Sequence, residues 1–333
     1  MSLVDILNAI LPVYLLIALG FVAVLLGWFP KAGVPGVGRF VRNFALPSAV
    51  FLVVVQRDIS DVVHPGFMLA FGLASILSFG ISLTLARRMG GTAPEVHGIL
   101  AIAGSMSNGL MIGIPLITGL FGASALAAIA QQVVIENTLV LPMGLALAEL
   151  AWTRKQHQGS SAPSPLIIAG RTLWSTLTNP LVAALLLGLL VSLSGLTLPI
   201  AVERSVDMLA TSLSGIALVF IGLTLYGTDL RAAIRGVLPA VAIKNAFHPL
   251  MMALTFWTVM LVWKEMGWMP VPATYANAAV VIASLPTIGA LPAIAARFGQ
   301  EQPMSLAVLV MTLISALTTP LTVWLVVTYQ PFA

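Results

Sequence analysis

The 333-residue chain has no cysteine, and only 8% of its residues are charged. Without thiols there is no disulfide framework, no cysteine nucleophile and no thiolate metal site. An average soluble domain carries roughly 25% charged residues, so this chain has too few to clothe a water-facing surface. That excludes a soluble enzyme, a disordered protein and a nucleic-acid binder. The four histidines, His64, His97, His157 and His248, fall on separate segments and make no metal-ligand spacing. Gly33, Gly36 and Gly38 form a GxxGxG pattern without a βαβ context, so they read as a helix entry and not as a nucleotide loop. Paired acids and clustered histidines are missing too. The chain reads as a non-enzyme that needs no metal or other cofactor.

Apolar residues are plentiful: 59% of the chain is hydrophobic and its mean hydropathy is +1.05. A helix needs about 20 apolar residues to cross the hydrocarbon core. Ten such runs are readable, at 3–28, 36–55, 65–86, 95–120, 123–152, 179–193, 206–226, 237–263, 274–298 and 304–329. The first is too long for a signal-peptide core and lacks a basic start, so it reads as a true span. An all-α membrane protein is therefore expected, with lipid as its surroundings. Trp28, Trp152 and Trp263 near span ends fit an aromatic belt.

Ten spans put both termini on one side. That side would hold Arg57, Arg204 and Lys264, and the other twelve of the 15 basic residues would lie opposite or, for Lys244, inside span 8. By the positive-inside rule the termini then face away from the cytoplasm. The net charge of +4 is spread thinly and argues about topology, not about a polyanion partner.

The chain also carries a weak internal repeat. Pro12, Gly20 and Gly27 have the same separations as Pro180, Gly188 and Gly195, and Phe51 parallels Phe220. PLITGLFG at 115–122 matches PAIAARFG at 292–299, and Pro142 corresponds to Pro320. The offsets of 168, 169, 177 and 178 rise in order, as a repeat with one longer insertion would. The organisation expected is a first five-span unit at 1–152, a cytoplasmic linker at 153–170 and a second unit at 171–333. Five is odd, so the second unit enters the membrane inverted. Inverted repeats with Gly/Pro-interrupted segments at equivalent places are the mark of secondary transporters, with the site at the repeat interface.

Spans 4 and 9 carry those interruptions, GSMSNGLMIGIPLITG at 104–119 and ASLPTIGALPAIAA at 283–296. Proline removes a backbone donor and disfavours helix in its predecessor, and glycine adds freedom on either side. Broken helices meeting at mid-membrane would converge four half-helix ends, whose N-termini suit a carboxylate. The candidate substrate-binding residues are Ser107, Asn108, Gly109, Gly113 and Pro115 of span 4 with Ser284, Pro286, Thr287 and Gly289 of span 9. Two proline-kinked packing helices without a site remain the alternative.

Charges inside the bilayer are costly and usually paired or functional. Span 5 has Gln132 and Glu136 at helical spacing, and span 8 has Lys244 and His248. Glu136 or His248 is a candidate proton carrier and Lys244 a candidate counter-charge for an anion. A structural Glu136–Lys244 ion pair accounts for them equally well.

FALPSAVF at 44–51, SNGLMIGIPL at 107–116, NPLVAALLLGLL from Asn179 and SLPTIGALPAIAARFG at 284–299 resemble the auxin efflux carrier family. This family includes plant PIN carriers and bacterial malonate-type permeases, and the resemblance covers essentially the whole chain. It implies ten transmembrane helices in two inverted five-helix repeats with broken crossover helices 4 and 9. That is an architecture related to bile-acid symporters and sodium/proton antiporters. It also implies an elevator motion on a scaffold of spans 1, 2, 6 and 7, with spans 3–5 and 8–10 carrying substrate. Small organic anions as substrates and a homodimer through the scaffold follow from it as well; proton or sodium as the coupling ion and a bacterial inner-membrane location are expected beside it without being implied by it. Asn108 matches the family's helix 4 asparagine, and QVVIENTL at 132–139 places Asn137 toward substrate. Pro286 and Thr287 stand where a helix 9 asparagine is expected, and the long cytoplasmic loop of the plant proteins has no counterpart. The antiporter rival would need acids beside the crossing, and Ser107, Asn108, Leu285 and Pro286 offer none. A membrane enzyme would need a catalytic constellation, and a channel or receptor is the remaining reading.

Overall fold

A computed structural model describes residues 3–55, 63–88, 93–156, 180–227, 237–295 and 298–332, with Gly170 and Trp174. The described residues are helical and contain no strand. In chain order the helices are α1 (Leu3–Leu25), α2 (34–55), α3 (Pro65–Arg88), α4a (Pro94–Ser105) and α4b (Ile114–Phe121). They continue with α5 (126–156), α6 (Pro180–Ser194), α7 (Ile200–Leu225), α8 (Val237–Glu265), α9a (Ala273–Ser284), α9b (Leu291–Ala295) and α10 (Glu301–Tyr329). Among the described residues six helical stretches are long and apolar enough to cross a membrane: α3, Pro94–Phe121 taken through its break, α5, α7, α8 and α10. Parts of α1 and α9a are shorter apolar helices.

Two boundaries depart furthest from the sequence reading. Helix α7 begins at Ile200, ahead of 206, because Glu203, Arg204 and Asp207 form an exposed charged start that a hydropathy reading trims away. Helix α5 runs to Gln156, so the 153–170 linker starts within helix, on the exposed Arg154 and Lys155 turn. Residues 157–169, Asn179, and Arg57, Arg171, Arg231, Arg235 and Arg297 of the charge count lie outside the described residues.

Proline shapes four helices in the same way. Single π turns occupy Val41–Ala45, Gly109–Gly113, Glu136–Val140 and Ile243–Phe247. Each closes with an N–H five residues beyond its acceptor: Leu46 to Val41, Ile114 to Gly109, Leu141 to Glu136 and His248 to Ile243. The next residue is proline every time, at 47, 115, 142 and 249. Proline cannot donate to the ladder and its ring collides with the carbonyl four residues back, so the wider turn relieves the clash.

Glycine sets the close helix crossings. Helices α1 and α7 touch at Gly20 and Gly222, where an added Cβ would lie 2.0 Å from the Val219 oxygen and 1.9 Å from the Ile17 oxygen, respectively. Gly188 of α6 approaches α2 less tightly, 3.2 Å from the Phe51 oxygen by the same measure. Gly98 of α4a and Gly144 of α5 form a third such seam. Helices α1, α2, α6 and α7 thus pack chiefly on one another. Helices α3, α4a, α5, α8, α9 and α10 form the other group, cored by Phe67 against Phe71 and Phe256.

Large apolar side chains also cover the outside, among them Leu15 on α1, Leu190 on α6 and Leu317 on α10. Trp28 is exposed at a helix end, whereas Trp152 packs on Phe298 and Trp263 on Trp268.

Candidate functional site at the two helix breaks

Helix α4a stops at Ser105 because Met106 turns extended (φ −102°, ψ 147°) and the chain re-enters helix only through the π turn from Gly109. Helix α9a stops at Ser284, where Leu285 precedes Pro286 and is extended as pre-proline residues prefer (φ −65°, ψ 155°). The two unwound segments touch: the Asn108 N–H donates to the Pro286 oxygen at 2.9 Å. The Asn108 carbonyl accepts from the N–H groups of Ile112 and Gly113, both at 3.1 Å, which starts the second half-helix.

Ser107 is the hub. Its N–H donates to Glu136 Oε1 at 2.9 Å, and its carbonyl accepts from Gln132 Nε2 at 3.0 Å. Its hydroxyl accepts from the Lys244 ammonium, also at 2.9 Å. Gln132 Nε2 donates in addition to Glu136 Oε2, and Lys244 Nζ to the Ala283 oxygen at 2.6 Å. Glu136 and Lys244 are both buried, and they do not form a direct ion pair; Ser107 stands between them. Opposite charges bridged by one serine can offset much of the desolvation cost of each. The backbone N–H groups of Ser107 and Asn108 are already engaged by Glu136 and Pro286.

A cavity of about 80 Å³ opens beside this crossing, several times the space one water needs. Of the residues singled out in the sequence, Ser107, Asn108, Gln132, Glu136, Asn137 and Gly289 line it. Asn137 also donates to the Val133 oxygen at 2.8 Å. Gly109 and Gly113 do not line it, and a Cβ at 109 would sit 1.9 Å from Gln132 Oε1, so that amide would have to shift. Pro115 begins α4b. Ser284 bonds back to Val281 and offers its carbonyl to Thr319. Thr287 is fully buried with its hydroxyl unpartnered, as are Asn108 Nδ2 and Gln132 Oε1. His248 lies away from the cavity, its Nδ1 at 2.9 Å from the Ser78 hydroxyl.

The sequence reading missed part of the lining. Leu46 of α2 faces the cavity, from within the FALPSAVF stretch, where nothing marks it as a site residue. The breaks themselves offer no acid, as expected, but Glu136 of α5 stands beside the crossing and accepts the Ser107 N–H.

The chain matches the family described as membrane transport protein over residues 5–325. It belongs to that family. This is the auxin efflux carrier family, so the protein is a membrane transporter and not an enzyme. Three relatives are similar at low identity. A Rhizobium meliloti (strain 1021) protein named "Putative malonate transporter" is 25% identical over 94% of this chain and 93% of its own length. An "Uncharacterized transporter" of Methanothermobacter thermautotrophicus is 26% identical over 74% of this chain and 76% of its own. The mouse "Lysosomal cholesterol signaling protein" is 25% identical over 68% of this chain, and the matched part spans only 26% of the mouse protein.

Proposed function

We propose that this transporter carries small organic carboxylate anions through the cavity at the two breaks, as a secondary active or potential-driven carrier. The observation that carries this reading is the hydrogen-bonded crossing of two unwound segments beside a cavity whose wall offers the unpartnered Asn108 amide donor. Unwound backbone survives in hydrocarbon only when buried in protein or lining a cavity, and these breaks are buried beside one. The name of the Rhizobium relative supports a carboxylate.

Ten spans in two inverted five-helix units fit the same reading. The repeat-paired glycines adopt the same rare conformation: Gly27 and Gly195 have φ of 72° and 65°, Gly122 and Gly299 of 79° and 67°. Gly20 and Gly188, also paired by the repeat, each seat a helix on a neighbour's backbone. The α1, α2, α6 and α7 group is then the scaffold, dimerising through its exposed leucines, and the other group rides past it as an elevator. Glu136 is the first candidate for coupling to a proton, His248 the second, and Lys244 holds the counter-charge. The termini face away from the cytoplasm of a bacterial inner membrane.

Uptake of labelled malonate, acetate and larger acids into proteoliposomes, under imposed pH and voltage gradients, tests the reading. Saturable uptake of at least one acid is expected, and uptake of none would overturn it. A cation/proton antiporter on the same fold is favoured by one observation, the Glu136 carboxylate on Ser107. It predicts sodium-driven proton movement with no acid present.

A further inference from the structure

We infer that the hydrogen bond between Tyr14 and Ser315 is a latch, which holds the two helix groups in the arrangement described here and opens when one group moves past the other. The inference rests on the elevator reading above and deepens it. Tyr14 lies on α1, in the first group, and Ser315 on α10, in the second. Their side chains are hydrogen-bonded to each other. Ser315 is fully buried and gives its own hydroxyl proton to the Thr312 carbonyl at 2.8 Å. Its oxygen is therefore the acceptor, and the tyrosine O–H donates.

Apolar side chains also meet along this boundary. Ile17, Leu46 and Val50 of the first group share one buried cluster with Met111, Ile129 and Val133 of the second. Hydrophobic contact has no direction, so it holds the groups together without fixing how far one has slid along the other. A hydrogen bond has direction and a reach of about 3 Å, so a slide of several ångströms must break it. The tyrosine bond thus marks one position on an otherwise forgiving surface.

The latch also reaches the second break. Thr312, Ser315 and Thr319 are buried on α10 at helical spacing, and Thr319 donates to the Ser284 carbonyl at 2.8 Å, where α9a ends. One turn of α10 therefore separates the grip on the break from the grip on α1.

The bond is one-sided in the sequence repeat. The offsets of 168 and 178 pair Tyr14 with Val182 of α6 and Ser315 with Asn137 of α5. Valine has no hydroxyl, and the Asn137 amide donates within its own helix, to the Val133 oxygen. Inverted halves can trade conformations between the two end states, so contacts made alike in both halves favour neither state. A contact made in one half alone tips the balance toward the state that makes it.

The cysteine-free chain allows a test that needs no substrate. Nitroxide labels are placed on Gly119→Cys of α4b and Gly215→Cys of α7, both open positions, one in each group. Pulsed electron spin resonance of the full chain in lipid nanodiscs then reads the distances between them. Two populations are expected, and Tyr14→Phe, which keeps the ring and deletes the hydroxyl, should raise the ratio of minor to major about two- to tenfold. Ser315→Ala should do the same, and the double variant should add nothing further. Two populations that Tyr14→Phe leaves unchanged overturn the latch and leave the elevator reading standing. A single distance in the parent and in every variant overturns both.

Discussion

The two breaks are built differently. Segment 106–108 is held by side chains from two other helices, Gln132 and Glu136 of α5 and Lys244 of α8. Segment 285–290 is held through backbone carbonyls: Pro286 O takes the Asn108 amide, while just ahead of it Ala283 O takes Lys244 and Ser284 O takes Thr319. Its own side chain, Thr287, has no partner. The first break therefore depends on the identity of its neighbours, and the second mainly on its proline. Among the described residues Lys244 is the one side chain that grips both.

Lys244→Met breaks the comparison hardest. It frees both segments and strands Glu136 as a buried uncompensated acid, a change that costs about 3–5 kcal/mol. Thermal unfolding in detergent should show the loss and uptake should vanish. Adding Glu136→Gln should restore much of the stability, because the stranded charge is gone.

Gly109→Ala acts on the first break alone. Its Cβ would sit 1.9 Å from Gln132 Oε1, so the amide must leave its bonds to Ser107 and Glu136. Overpacking of this kind costs about 1–3 kcal/mol. A Gly289→Ala control meets nothing nearer than the Met111 sulfur at 3.3 Å and should be milder by the same unfolding measurement.

Asn108→Ala removes a donor from the cavity wall without disturbing the Asn108 backbone bonds. Losing one hydrogen bond to a charged or polar ligand should weaken substrate binding about tenfold. Folding should be unaffected, which a melting curve beside the binding isotherm would show.

Thr287→Val has the smallest expected effect. It deletes an unpartnered buried hydroxyl at nearly constant volume, so stability should hold or rise by up to about 1 kcal/mol. Uptake kinetics should stay within about twofold of wild type. A loss as large as that of Asn108→Ala would move the site toward the second break.

Much of this was legible in the residues themselves. Asn108 followed by Gly109, and Pro286 ahead of Gly289, mark local backbone that helix propensity alone rejects. The turn glycines at 27, 122, 195 and 299 announce positive φ by their positions at run ends. What stayed hidden was tertiary. Nothing local to Ser107 says that Glu136 would take its amide, since that bond spans 29 residues. Leu46 reaches the cavity only because α2 packs across the crossing, and one apolar residue in an apolar run carries no mark. The four π turns had a local signal, the proline following each, but Pro12 and Pro320 sit inside α1 and α10 without one. Proline alone therefore does not predict the turn.

The absence of cysteine makes one test unusually direct. Gly289→Cys places a single thiol on the cavity wall, and Gly119→Cys places one in open space on α4b. Maleimide labelling of both is measured with and without a saturating acid substrate. The account predicts that substrate slows labelling at 289 and leaves 119 unchanged. Equal labelling at 289 with and without an acid that the protein carries would contradict a binding site at the crossing.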